Sequence, residues 1–182
     1  MKNFYTGINR FMWQHSFIKS CTHFASRFCP YMMVIFYLLF LLKMYLNRPN
    51  NLLILAAEPI CVVCITLILR VIIDRKRPTE KYDFKPIDGS RKTGHSFPSI
   101  HVAASVSIAL AVLRYGPNMG LLLSALSIAI TIARILSGVH YISDIVASIA
   151  IALAINLISN SLHQYNFFFY SRINVKRDFL YY

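Results

Sequence analysis

Seven polar residues fall at the ends of apolar segments: Arg70, Arg77, Ser99, His101, Arg134, His140 and Asp144. A guanidinium is a rigid fork of donors that matches phosphate oxygens and stays charged at any physiological pH. A histidine near neutrality can serve as nucleophile or proton donor. A carboxylate on one ring N–H fixes the tautomer and leaves the other nitrogen free to attack. Three arginines, two histidines and one carboxylate together point to phosphate chemistry. Their place at the lips of apolar segments points to a phosphate carried by a lipid.

Those segments must bring the seven residues together. The chain has 182 residues, 57% of them hydrophobic, and a formal charge of +12. A soluble domain of this length is less apolar and more charged. Several runs approach the roughly 20 apolar residues that a spanning helix needs. The expected fold is all-α, a polytopic membrane helix bundle of about five transmembrane helices plus an N-terminal interfacial amphipathic helix. Residues 1–29, with aromatics interspersed among Lys2, Arg10, Lys19 and Arg27, form the interfacial segment. Residues 30–160 form the membrane-embedded core. Residues 161–182, with Phe167, Phe168, Phe169, Arg172, Lys176 and Arg177, form a basic and aromatic interfacial tail. The spans are expected over about 30–46, 52–73, 98–113, 119–136 and 141–158, with a long polar loop at 74–97. Ser137-Gly138 closes the fourth span in the manner of a helix C-cap. No cleavable signal peptide is expected, because no clean apolar stretch with a small-residue cleavage site follows the basic N-terminus. Span two ends, span three begins, span four ends and span five begins on one face of the membrane. All seven residues therefore share that face.

Local spacing assigns tasks. Arg70 and Arg77 are close to two helical turns apart and share a side if the helix continues. Ser96 is expected to cap the third span and Pro98 to take its first helical position. The N–H groups of Ser99, Ile100 and His101 would then meet an anion. His140 and Asp144, four residues apart, can touch on one helical face. An ionisable residue such as Arg134 inside a membrane segment is a functional candidate.

Arg70-x6-Arg77-Pro78, Pro98-Ser99-x-His101 and Arg134-x5-His140-x3-Asp144 together resemble the three-part signature of the type 2 phosphatidic acid phosphatase family, the lipid phosphatase/vanadium haloperoxidase superfamily. The resemblance spans residues 70–144. It implies that His140 is a nucleophile forming a phosphohistidine, that Asp144 orients it, and that His101 protonates the leaving group. It further implies that Arg70, Arg77, Ser99, Ile100 (through its backbone) and Arg134 cradle the phosphate. The chain departs from the pattern at Arg70 (usually Lys), Ile100 (usually Gly) and Ala133 (usually Ser), which bears on substrate range. The small size resembles the compact bacterial members that convert undecaprenyl diphosphate to the monophosphate. A phosphatidylglycerophosphate or phosphatidate phosphatase is the alternative, and a non-catalytic lipid-phosphate binding protein is the remote one. Vanadate chemistry belongs to soluble relatives, which five spans argue against.

No cofactor and no metal are expected, because none of the seven acidic residues forms the tight pair of a two-metal site. Cys61 and Cys64 lie in an apolar run and are read as packing residues. Glu58, beside Pro59 in the second span, is read as a neutral, hydrogen-bonded helix residue, with lining of a substrate groove as the other reading. The expected partners are a lipid phosphate substrate and membrane lipids, not nucleic acid. The expected location is the cell membrane. Lysine and arginine outside the site are more numerous on the motif face, which by the positive-inside rule would be cytoplasmic. The resemblance implies an extracytoplasmic site, and phosphate attraction accounts for the loop charge.

Overall fold

The computed structural model describes residues 2–47, 52–89 and 93–178, with side chains described as far as Leu162. Its elements are α1 (Lys2–Gln14), α2 (Ser16–Arg27), α3 (Cys29–Asn47), α4 (Leu52–Ile73), α5 (Pro78–Tyr82), α6 (Ile100–Tyr115), α7 (Pro117–Leu136) and α8 (Ile142–Asp178). There is no strand among the described residues, and the fold is the expected all-helical membrane bundle. Four helices are long and apolar enough to cross a membrane: α3, α4, α7 and the portion of α8 up to Leu162. They present leucine, isoleucine and valine outward, as at Leu38, Leu53, Ile68, Val71, Leu121 and Val146, because lipid and not water is the solvent there.

The fifth core helix, α6, has only 16 residues, about 24 Å of rise. It packs against α3, α4, α7 and α8 and supplies the centre of the bundle, with Val102, Ala103, Ser105, Ser107, Ile108, Ala109, Ala111 and Val112 buried. Small residues let its neighbours approach closely. At the α6–α7 corner a Cβ on Gly120 would fall onto the backbone of Leu113. Ser105 Oγ and Ser127 Oγ, 2.9 Å apart, link the same two helices deeper down.

Three regions differ from the sequence expectation. The N-terminal segment is two helices, broken at His15, and not one. Its aromatic content serves packing as well as exposure. Phe11, Phe17 and Phe24 face outward, while Tyr5 is buried, stacked on Tyr82 and edge-on to Tyr141. The 74–97 loop contains the short helix α5, started by Pro78 at its first position. The last helix runs to Asp178, well past the expected end near 158, because no proline or glycine interrupts residues 142–178. The tail side chains named above, from Phe167 to Arg177, lie outside the described residues.

Gly138 has φ +72°, and its N–H bonds to the Ile135 carbonyl at 3.0 Å, so α7 ends as the Ser137-Gly138 pair predicts. A Cβ there would meet the Phe84 ring at 2.6 Å. This left-handed turn drops the chain from Arg134 to His140 over the loop that carries Ile87, whose N–H reaches the Ser137 carbonyl.

Candidate active site

A cavity of about 680 Å³ opens among α2, α3, α6, α7 and the 83–89 loop. One end is polar, lined by Arg70, Arg77, Asp88, His101, Arg134 and His140. The other is apolar, lined by residues such as Met33, Val34, Ile108 and Ile130. Six of the eight predicted site residues face it: Arg70, Arg77, Ile100, His101, Arg134 and His140. Ser99 and Asp144 are fully buried and do not line it.

His140 is 2% exposed. Its Nδ1 lies 2.8 Å from the backbone carbonyl of Ser96. A carbonyl only accepts, so Nδ1 carries the proton and Nε2 holds a lone pair. Asp144 Oδ2 is farther from the ring, at 3.5 Å. The expected direct His140–Asp144 contact is therefore long and is supplemented by a relay through Ser96. Asp144 Oδ2 accepts from Ser96 Oγ at 2.5 Å and from the Tyr141 N–H at 2.9 Å, and Oδ1 accepts from Arg75 Nη1 at 2.8 Å. The physical reason is that α8 begins at Ile142, so His140 precedes the helix and the four-residue spacing does not put both side chains on one helical face. Asp144 instead sits in the first turn and closes back on the Tyr141 amide, as the third residue of a capping box does. It fixes Ser96, and the Ser96 carbonyl fixes the imidazole.

Arg75 was missed in the sequence, where it is one charge in the run Asp74-Arg75-Lys76-Arg77. Its guanidinium also donates to Ser143 Oγ at 2.7 Å and lies 3.9 Å from the Tyr141 ring centre. The Ser96 N–H bonds to the Arg75 carbonyl, so the loop strand and the α4 exit brace one another. Ser96 therefore does not cap α6. The N-cap position belongs to Ser99, without a side-chain capping bond. The Ser99 N–H is spent on Ser148 Oγ at 2.8 Å and is not offered to an anion, contrary to expectation, and Ser99 Oγ has no hydrogen-bond partner among the described residues.

The arginines are held differently. α4 ends at Ile73, so Arg77 reaches the site from an extended stretch and not from a continuing helix. It is 5% exposed, with Nε on the Gly94 carbonyl at 3.1 Å and Nη1 on the Val139 carbonyl at 3.4 Å. Arg134 is 8% exposed. Its Nη1 lies 3.4 Å from Asp88 Oδ2, and its Nε has no partner among the described residues. Asp88, also unforeseen, is the single carboxylate lining the cavity among the described residues, against four arginines counting Arg27. The cavity is thus strongly positive and suited to a multiply charged anion.

Burial pushes the His140 imidazole below its ordinary range. Asp144 pulls it upward, while Arg77 and Arg134 push it further down. Above that depressed value the ring is neutral, as Nε2 attack requires.

The PAP2 superfamily model matches residues 51–168. The chain belongs to the PAP2 superfamily. The matched span contains all three motifs and helices α4 to α7 with most of α8, so the resemblance drawn from Arg70 to Asp144 holds at the level of the family. Among solved structures, LpxE of Aquifex aeolicus aligns with a TM-score of 0.68 and 23% identity, over 87% of this chain and 93% of that one. The transmembrane PAP2-type phosphatidylglycerolphosphate phosphatase of Bacillus subtilis aligns with a TM-score of 0.63 and 17% identity, over 89% and 85%. Both share the fold with this PAP2 chain. No curated protein sequence matches it. Family, fold and four membrane-length helices make the chain an integral membrane protein.

Proposed function

We propose that the chain is a metal-independent lipid phosphatase acting through a phosphohistidine, with undecaprenyl diphosphate as its substrate. The observation that carries this reading is one cavity with His140, its Nδ1 held by the Ser96 carbonyl, and buried arginines at one end and membrane-helix side chains at the other. A lipid can leave its tail among Met33, Val34, Ile108 and Ile130 while its phosphate enters the arginine cradle.

His140 Nε2 attacks phosphorus, the N–P bond forms, and the P–O bond to the lipid breaks with its electron pair leaving on oxygen. His101 gives a proton to that oxygen. Water then attacks phosphorus, His101 takes its proton, and the N–P bond breaks to release inorganic phosphate. Arg70, Arg77 and Arg134 hold the charge that spreads over the equatorial oxygens. Asp144, through Ser96, keeps the ring aligned.

Phosphate release from undecaprenyl diphosphate, phosphatidylglycerophosphate and phosphatidate in detergent, with EDTA present, tests the reading. The expected result is EDTA-resistant release that is fastest with the diphosphate. The likeness to a phosphatidylglycerolphosphate phosphatase supports the second lipid as the alternative. Preference for it would replace the substrate and keep the mechanism. Activity only with added divalent metal would overturn the mechanism.

The protonation of His140 sets the acid limb of kcat/KM. The folded value lies below the ordinary 6.5, so activity is retained through pH 6.5 and is lost as pH falls through the depressed value. Arg75→Gln removes the cation that neutralises Asp144, leaves more negative charge near the ring, and should move the acid limb to higher pH with a loss of about tenfold in kcat. Arg75→Lys should restore the limb. An unmoved limb in Arg75→Gln would mean that the guanidinium only braces the loop.

The active site is proposed to face the outside of the cell membrane. In a cysteine-free background, Lys81→Cys on the exposed turn of α5 should react with an impermeant maleimide in intact cells. Reaction only after lysis would place the site in the cytoplasm.

A further inference from the structure

Part of the cavity wall comes from the end of α2 and the start of α3, and it carries polar groups that the mechanism above does not use. Ser26 is 2% exposed and lines the cavity, yet its Oγ has no hydrogen-bond partner among the described residues. A buried hydroxyl left without a partner is costly, and such groups in native proteins are few. Arg27 lines the same wall and adds a cation that belongs to none of the three motifs. About one helical turn further along the chain the wall becomes Pro30 and Tyr31, then Met33 and Val34 as α3 enters the apolar layer.

In the mechanism proposed above, Arg70, Arg77, Arg134 and His101 attend to a single phosphate at the catalytic end. A second donor and a further cation on the α2–α3 wall, just before the apolar stretch, correspond to a second anionic group between the scissile phosphate and the tail. We propose that Ser26 and Arg27 form a subsite for the phosphate that stays on the lipid, so that the enzyme selects lipid diphosphates over lipid monophosphates. This rests on the phosphatase reading above and names the part of the site that sets its substrate class.

The chemistry gives the subsite a role in the reaction as well as in binding. When His140 Nε2 takes the terminal phosphorus, the bridging P–O bond breaks and its electron pair stays on the oxygen of the remaining phosphate. That oxygen takes up negative charge as the bond breaks, before His101 protonates it, and Arg27 on the cavity wall supplies a cation beside it, with Ser26 at the same turn. Water then releases inorganic phosphate from His140, and the other product is the lipid monophosphate. A lipid monophosphate has an alcohol oxygen in the leaving position and no group for the subsite.

The matched pair farnesyl diphosphate and farnesyl monophosphate, in the same detergent micelle, isolates this effect. Arg27→Gln should lower kcat/KM for the diphosphate by about ten- to a hundredfold, and Ser26→Ala by about tenfold, with less than about threefold change for the monophosphate. Arg27→Lys should recover most of the loss. Equal losses on both substrates, or none on the diphosphate, would overturn the subsite. A binding measurement independent of turnover separates this from failure of the phosphatase reading. Methylenediphosphonate, which cannot be hydrolysed, should bind the wild-type protein more tightly than inorganic phosphate, and Arg27→Gln should erase that preference. If neither farnesyl substrate is turned over, the phosphatase reading falls, and the titration still decides whether the two-phosphate subsite exists.

Discussion

His140→Ala is expected to reduce EDTA-resistant phosphate release by about 10⁴-fold or more, to the limit of detection. The size follows from the position of the ring. It is the buried imidazole that lines the arginine-rich end of the cavity, and no cysteine lines that cavity among the described residues. Folding should survive, because the side chain makes one hydrogen bond, to the Ser96 carbonyl, worth about 1 kcal/mol net. Thermal unfolding in detergent close to that of the wild type would verify this. A rapid acid-free quench with terminally labelled lipid diphosphate should trap label on the wild-type protein and none on the variant. Substantial release by folded His140→Ala would eliminate the phosphohistidine route.

The second large effect concerns stability and lies far from the cavity. Glu58 is fully buried and is neither isolated nor a groove residue. Its Oε2 lies 3.2 Å from Arg114 Nη2 and its Oε1 accepts from Asn156 Nδ2 at 2.9 Å, while Arg114 Nη1 reaches Ser159 Oγ. A carboxylate on α4, a guanidinium at the end of α6 and an amide on α8 thus close one network across three helices. The expectation of a neutral, hydrogen-bonded glutamate gives way to an ion pair. Glu58→Ala strands a largely buried guanidinium and should cost about 3–5 kcal/mol. Thermal unfolding would show it as a large drop in Tm. Glu58→Gln should cost less, since the amide oxygen can still accept from Asn156. Glu58→Gln combined with Arg114→Met should recover part of the Glu58→Ala loss, because no unpaired charge is left behind. Glu58 and Arg70 are separated by about 18 Å of helix, so activity per folded molecule should not change. A selective loss of kcat in stable Glu58→Gln would return this residue to the substrate path.

Much of the bundle is legible in the sequence because lipid imposes a simple rule on it. The apolar runs of α3, α4 and α7 match their predicted bounds to within about two residues, since every backbone group in a bilayer must be paired internally and a run of apolar residues has few alternatives. The six cavity-lining site residues are legible for the same reason: once the spans are set, the parity of the crossings puts their ends on one face. What escapes is whatever depends on loop closure. Arg75 meets Asp144 from 69 residues away, and Ser96 meets it from 48. Neither contact has a local pattern. The i, i+4 reading of His140 and Asp144 brings the two side chains only to 3.5 Å, because spacing rules hold fully inside a helix and the helix starts two residues after the histidine. Arg114 carried no visible signal as a partner of Glu58, 56 residues earlier, since an arginine at the end of a span also fits simple snorkelling.

Tyr5 receives the Ile142 N–H on its hydroxyl at 3.2 Å, across 137 residues of chain. This contact joins α1 to the start of α8, two residues from His140. At a synthesis rate of 5–20 residues per second, Tyr5 is made roughly 7–27 s before Ile142. During that interval Tyr5, buried in the finished protein, lacks the Tyr141 ring and the Ile142 amide that complete its surroundings. A bilayer surface can accept an amphipathic helix in the meantime, and the outward aromatics Phe4, Phe11 and Trp13 give α1 the means to rest there. α1 is therefore among the last elements to complete its native contacts, and their completion closes the packing around Tyr141, the residue after His140.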